Sequence, residues 1–207
     1  MRTIPTGTMW RPSATRQSEA LLLVAAVAVA GCGSHSSSST HIVRVTGEIG
    51  PVHVDRSDRA AVVAFAGPPD TVVSGREPGY FPYRALGYDC APRMNGGVQL
   101  APHAPVCRTA FFFDGRTGKL ETFYTSSPDF SEGHGVRIGM TQARAELLLH
   151  RRLTVGCTTA LHFESSTGSL SIEFNGGTER GTAIKDARVD AFVVHGHRRD
   201  AGIFDCL

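Results

Sequence analysis

The residues of this 207-residue chain that could do chemistry are its five cysteines, its nine histidines and the acids beside them. Cys32 closes an apolar run, and Cys90, Cys107, Cys157 and Cys206 follow it. Four cysteines outside the cytoplasm read as disulfides, and three pairings are open to them. Cys90–Cys107 with Cys157–Cys206 is favoured, because each pair falls within one half of the chain. The first closes a loop of about 16 residues, worth about 3 kcal/mol in the loop-entropy account. Zinc is the rival use of four thiolates, but close Cys-x-x-Cys pairs are missing. His195 and His197 put two imidazoles on one face of a strand, which can serve a metal. No third ligand stands nearby, and a polar strand end running into Arg198-Arg199-Asp200 explains them equally well. His162 and Glu164 can pair on the outer face of a hairpin, where an amphipathic strand requires polar residues anyway. Gly-x-Ser-x-Gly, His-Glu-x-x-His and a phosphate loop are all absent. No catalytic residue, metal or cofactor is therefore assigned.

Cys32 is positioned by what precedes it. Ala20 to Ala30 is an apolar run of eleven residues. As a helix it reaches about 16 Å, half of a bilayer core, so it does not span a membrane. Arg2, Arg11 and Arg16 stand upstream against the single acid Glu19. A basic start, a short apolar core and small residues at the end describe a secretory signal over residues 1–31. The true start is open between Met1 and Met9, with the same mature chain either way. Val29-Ala30-Gly31-Cys32 resembles the bacterial lipobox, which is cut before a cysteine that is then acylated. Residues 32–41 then form a lipid-bearing cysteine and a Ser-rich tether, "GSHSSSST" being a flexible composition. Two or three acyl chains hold firmly where one holds marginally.

The leader accounts for the chain's slight excess of basic residues. Without its three Arg and one Glu, eighteen basic and eighteen acidic residues remain and the net charge is zero. The basic isoelectric point therefore says nothing about nucleic acid. The remaining 176 residues can bury a proper core, and one compact domain is expected.

The elements that must position these groups show as punctuation and period. "HIVRV" is a first strand or an extended lead-in. "SDRAAVVAFAGPPD" reads as a helix capped by Ser57 and ended by Gly67 and Pro68. "DTVVS" reads as a short strand, and residues 75–106, broken by Pro and Gly, as an irregular excursion. "CRTAFFFDGRTGKLETFYTS" reads as a hairpin turning at Asp114 to Gly118. Strict alternation puts Thr109, Phe111, Phe113, Leu120 and Tyr124 on one face, and Phe112 and Phe123 on the other. "GMTQARAELLLHRR" is a second helix capped by Thr141, with Ala143, Leu147 and Leu148 expected against the sheet beside Val62 and Phe65. "ALHFESSTGSLSIEF" is a second hairpin and "ARVDAFVVH" a last strand. The order repeats, so the fold expected is α+β. Two helix-plus-antiparallel-strand units, 42–127 and 128–207, lay their helices on one face of a meandering sheet.

The segment "GVRIGMTQARAELLL" resembles the repeat opening of β-lactamase inhibitory protein and the SmpA/OmlA-like lipoproteins. "FYTSSPDFSEGHGVRIG" and "AFAGPPD" are similar to the approach and exit of helices in that group. The resemblance touches about a third of the mature chain and implies binding or scaffolding rather than catalysis. Its matching positions are caps and core, so no interface residue carries over.

The expected protein is lipid-anchored through Cys32 on the extracytoplasmic face of a bacterial cell membrane. It binds a protein or envelope ligand and does not bind nucleic acid. Phe112, Phe123 and Arg108 are the candidate binding face, since aromatic and Arg anchors dominate such contacts. An envelope hydrolase or metal-dependent enzyme and a structural envelope component are the alternatives.

Overall fold

The computed structural model describes residues 40–76, 82–152, 160–175 and 187–196. The chain divides between Ser37 and Ser38, and the described residues all lie in the second unit. The second begins β1 (His41–Val43), β2 (Glu48–Ile49), β3 (Val52–His53), α1 (Arg59–Ala66), β4 (Thr71–Arg76) and β5 (Pro82–Ala91). It continues with β6 (Val98–Gln99), β7 (Val106–Asp114), β8 (Leu120–Thr125), β9 (Phe130–Glu132) and α2 (Gln142–Leu149). It ends, among the described residues, with β10 (Ala160–Ser165), β11 (Gly168–Phe174) and β12 (Val189–Gly196). No helix among the described residues is long and apolar enough to cross a membrane.

These strands make two sheets. The larger runs β10-β11-β12-β8-β7-β5-β4, with β6 added beside β7, and all its pairings are antiparallel. The smaller runs β3-β2-β1-β9, where β1 and β9 pair in parallel. The tandem helix-plus-strand layout is therefore wrong. The two helices are eight residues each, little more than two turns. Strands dominate, and the small sheet shares with the helices the work of covering the large one.

The core lies between the layers. Leu86, Phe111, Phe113, Leu120, Phe123, Leu170, Ile172, Phe192 and Val194 make the inner face of the large sheet. Val43, Ile49, Val52 and Phe130 of the small sheet meet them, with Val62 of α1 and Ala145 of α2. Burying each large side chain contributes about 1.5–3 kcal/mol. The first and last thirds of the chain are tied at one corner. Ser165 Oγ donates to the Val45 carbonyl at 3.2 Å, and Thr167 Oγ1 to that of Thr46 at 3.0 Å.

Local chemistry explains the elements. Asp114 Oδ1 accepts from the backbone N–H groups of Arg116 and Thr117, at 2.6 and 3.1 Å, and fixes the β7–β8 turn. Gly118 completes the turn at φ 68°, where a side chain is disfavoured. Helix α1 is capped by Asp58, whose Oδ1 accepts from Ala61 N–H at 3.0 Å; Ser57 instead accepts from His53 N–H at 2.9 Å. Thr141 is the N-cap of α2 but makes no side-chain capping bond. In that helix Ala145 is the buried residue; Ala143 and Leu147 point outward.

Candidate binding face

The outer face of the large sheet holds the expected binding residues, and register decides which of them reach it. Phe111 lies opposite Phe123, and Phe112 opposite Thr122. Phe113 then lies opposite Leu120, with a register shift at that point that leaves Glu121 as the extra residue. A bulge of one residue reverses the alternation beyond it. Phe123 therefore points into the core and is fully buried, while Tyr124 turns outward. This corrects the placement of both. Phe112 does sit on the outer face, half-buried, with its ring centroid 6.3 Å from that of Tyr83. Arg108 is exposed and its Nε lies 3.2 Å from Asp89 Oδ2.

A strap crosses this face. Residues 92–105 leave β5 and return to β7, and the disulfide Cys90–Cys107 closes their base. Leu100 of the strap is buried with Ala85, Cys107, Ala110, Tyr124, Ala191 and Val193, and Phe112 packs against them. Tyr83 Oη donates to the Leu100 carbonyl at 3.0 Å. The excursion expected over 75–106 is thus a ten-residue strand, β5, followed by a covering strap. Cys157, Cys206 and Cys32 lie outside the described residues, as does His197.

Under the strap sits an acidic corner. A register shift at Glu173/Phe174 leaves Asp190 between Val189 and Ala191 without a ladder partner. Burial holds the Glu173 carboxyl above its usual range, and the charge of Asp190 adds to this. Burial, then Glu173 and Asp190, pushes the Tyr124 phenol up to about 12 against hydrogen bonds from Ser126 and the Gly97 backbone.

Beyond the strap the same face is polar. His162 Nδ1 lies 2.8 Å from Ser171 Oγ, and His195 Nδ1 lies 3.2 Å from Thr122 Oγ1. Register sets Ser169 between Glu164 and His195. His162 Nε2 is buried without a hydrogen-bond partner. The Ser171–His162 pair therefore has no third group to orient the imidazole, as a nucleophile–base pair requires. His162, which could have paired with Glu164, instead contacts Ser171. No group of three His, Cys, Asp or Glu able to hold a metal occurs among the described residues.

No protein-family model and no curated protein matches the chain. One solved structure, the uncharacterised protein yfeY from Escherichia coli, aligns at 13% identity and a TM-score of 0.41. The match covers 74% of this chain and 97% of that one. A likeness that remote carries over neither a residue nor a role.

The outer face therefore offers an apolar half under a disulfide-closed strap and a hydroxyl–imidazole half beside it. Thr122, Ser171 and His195 are themselves buried and bonded to neighbours on the same face, and among the described residues the face does not present the open aromatic patch expected from alternation. Tyr83, Tyr124 and Leu100 were not legible as its members. Their signals were weak: a strand disguised by Pro and Gly, and a bulge that no residue type marks.

Proposed function

We propose that this protein is lipid-anchored through Cys32 on the extracytoplasmic face of a bacterial membrane and acts there as a binding or scaffolding module. The observation that carries the reading is the Val29-Ala30-Gly31-Cys32 junction, set between an apolar run and a Ser-rich segment. The Cys90–Cys107 disulfide supports it, since such bonds persist in oxidising compartments. The resemblance to the β-lactamase inhibitory protein and SmpA/OmlA-like group remains part of the proposal on Gly139-Met140-Thr141 and its flanks. The partner is a protein or envelope ligand. Cell fractionation of Cys32→Ala tests the anchor. The variant should accumulate uncut or leave the membrane; normal processing with full membrane retention would refute the reading.

A hydrolase reading draws on one observation, the Ser171–His162 contact. It requires Ser171 to react with a serine-directed fluorophosphonate probe and Ser171→Ala to abolish the labelling. Absence of labelling in the wild-type protein removes that reading.

A further inference from the structure

Helix α2 turns an unusual face outward. Ala145 is its buried residue, while Arg144, Leu147 and the C-capping His150 are exposed. Residues three and four apart share a helical face, so Arg144 and Leu147 lie on one line; the chain then turns through the left-handed His150 into the exposed Arg151 and Arg152. Leu147 is 61% exposed, against 46% for Val72 and 42% for Ile42, the other large apolar residues in the open. Arg137 is exposed just upstream, and Arg188 sits at the start of the helix, where its Nη1 donates to the Gly139 carbonyl at 2.9 Å. The Arg151 guanidinium lies over the Phe163 ring, 5.0 Å from its centroid. None of these five arginines forms a salt bridge among the described residues. Residues 137–152 hold four arginines against one acid, Glu146, although basic and acidic residues balance over residues 32–207 as a whole.

We propose that this face of α2 docks on anionic phospholipid headgroups, with Leu147 entering the interface, and so sets how the anchored domain stands on its membrane. Arginines gathered around one exposed leucine complement an anionic surface by charge, with a single apolar side chain to enter it. Each arginine near an anionic surface is worth about fivefold in affinity. The inference rests on the lipid-anchor reading. Residues 33–40 span at most about 3.5 Å each, which keeps the domain within about 28 Å of the acylated cysteine.

The chain supplies its own probe. Its one tryptophan, Trp10, lies in the leader, so the mature protein has none. Leu147→Trp therefore gives a single reporter in the full, lipid-bearing protein reconstituted into phosphatidylcholine vesicles with or without phosphatidylglycerol. With phosphatidylglycerol its emission should shift to the blue and be quenched by brominated lipid. High salt should reverse both, because screening shortens the reach of exposed charges. Adding Arg144→Glu and Arg152→Glu should abolish both. Val72→Trp, on the opposite edge strand of the large sheet, should emit as an exposed tryptophan throughout.

A Leu147→Trp protein that binds vesicles while its emission stays that of a tryptophan in water overturns the docking face and leaves the anchor standing. Equal blue shifts with and without phosphatidylglycerol, or a shift produced by soluble DNA and not by vesicles, also overturn it. Protein that floats with neither vesicle, or keeps Trp10 by mass, overturns the anchor and this inference with it.

Discussion

Phe123 and Phe112 look alike in sequence, on the two arms of one hairpin, but the fold treats them differently. Phe123 is fully buried against Phe111 and Phe130, with ring centroids 4.9 and 5.2 Å away. Phe123→Ala should cost about 3–5 kcal/mol in urea unfolding. Phe112→Ala, on the half-buried outer face, should cost about 1–2 kcal/mol in the same experiment. Equal costs would mean that the bulge at Glu121 is misplaced. Glu173 gives a pH signature. Its carboxyl titrates higher in the folded than in the unfolded chain, so the folded state binds the proton more tightly. Its contribution is favourable at low pH and is lost as pH rises through the folded value. Glu173→Gln should therefore raise the melting temperature at neutral pH. The gain should shrink on acidification and vanish below about pH 4, where the unfolded carboxyl is protonated as well. A variant equally stabilised at every pH would show that ionisation is not the cause.

At the scale of elements, the strap depends on its closing bond and on a glycine beneath it. A Cβ at Gly87 would lie 2.5 Å from Cys107 Sγ, 2.8 Å from Thr71 Cγ2 and 2.9 Å from Leu100 Cδ1. Gly87→Ala should therefore raise hydrogen exchange across residues 97–100, with β11 and β12 unaffected. Replacing Cys90 and Cys107 together by Ala should cost about 3 kcal/mol. The same glycine shows why β5 was hidden. Gly within a strand often marks close backbone approach, but in sequence it reads as a breaker, especially with Pro82 before it and Pro92 just after the strand. The hairpin at Asp114 to Gly118 was legible because its turn chemistry is local. The faces of β8 were not, because a bulge is set by pairing across strands, and strict alternation has no term for it. Helix α1 was legible to within one residue at its cap, Asp58 taking the role given to Ser57. Helix α2 was found and Leu148 packs against the core as expected, but Ala143 and Leu147 do not, since three consecutive leucines leave the stripe ambiguous. The small sheet had almost no local signal: β2 and β3 are two residues each, and β1 finds β9 almost ninety positions away.

At the scale of the molecule, segments far apart in sequence are fastened together within the β-rich domain. The Ser165 and Thr167 bonds to the Val45 and Thr46 carbonyls fasten the segment nearest the tether to the β10–β11 turn. Removing both hydroxyls, Ser165→Ala with Thr167→Val, should cost about 1–3 kcal/mol, since the two carbonyls lose their donors. The central claim is that Cys32 carries lipid and begins the mature chain. The direct measurement is mass spectrometry of the N-terminal peptide of protein extracted from the membrane fraction. The account predicts a peptide starting at Cys32 and carrying a diacylglyceryl group, with or without an acylated amine. An unmodified Cys32 within a longer peptide, or a mature terminus elsewhere, would contradict it.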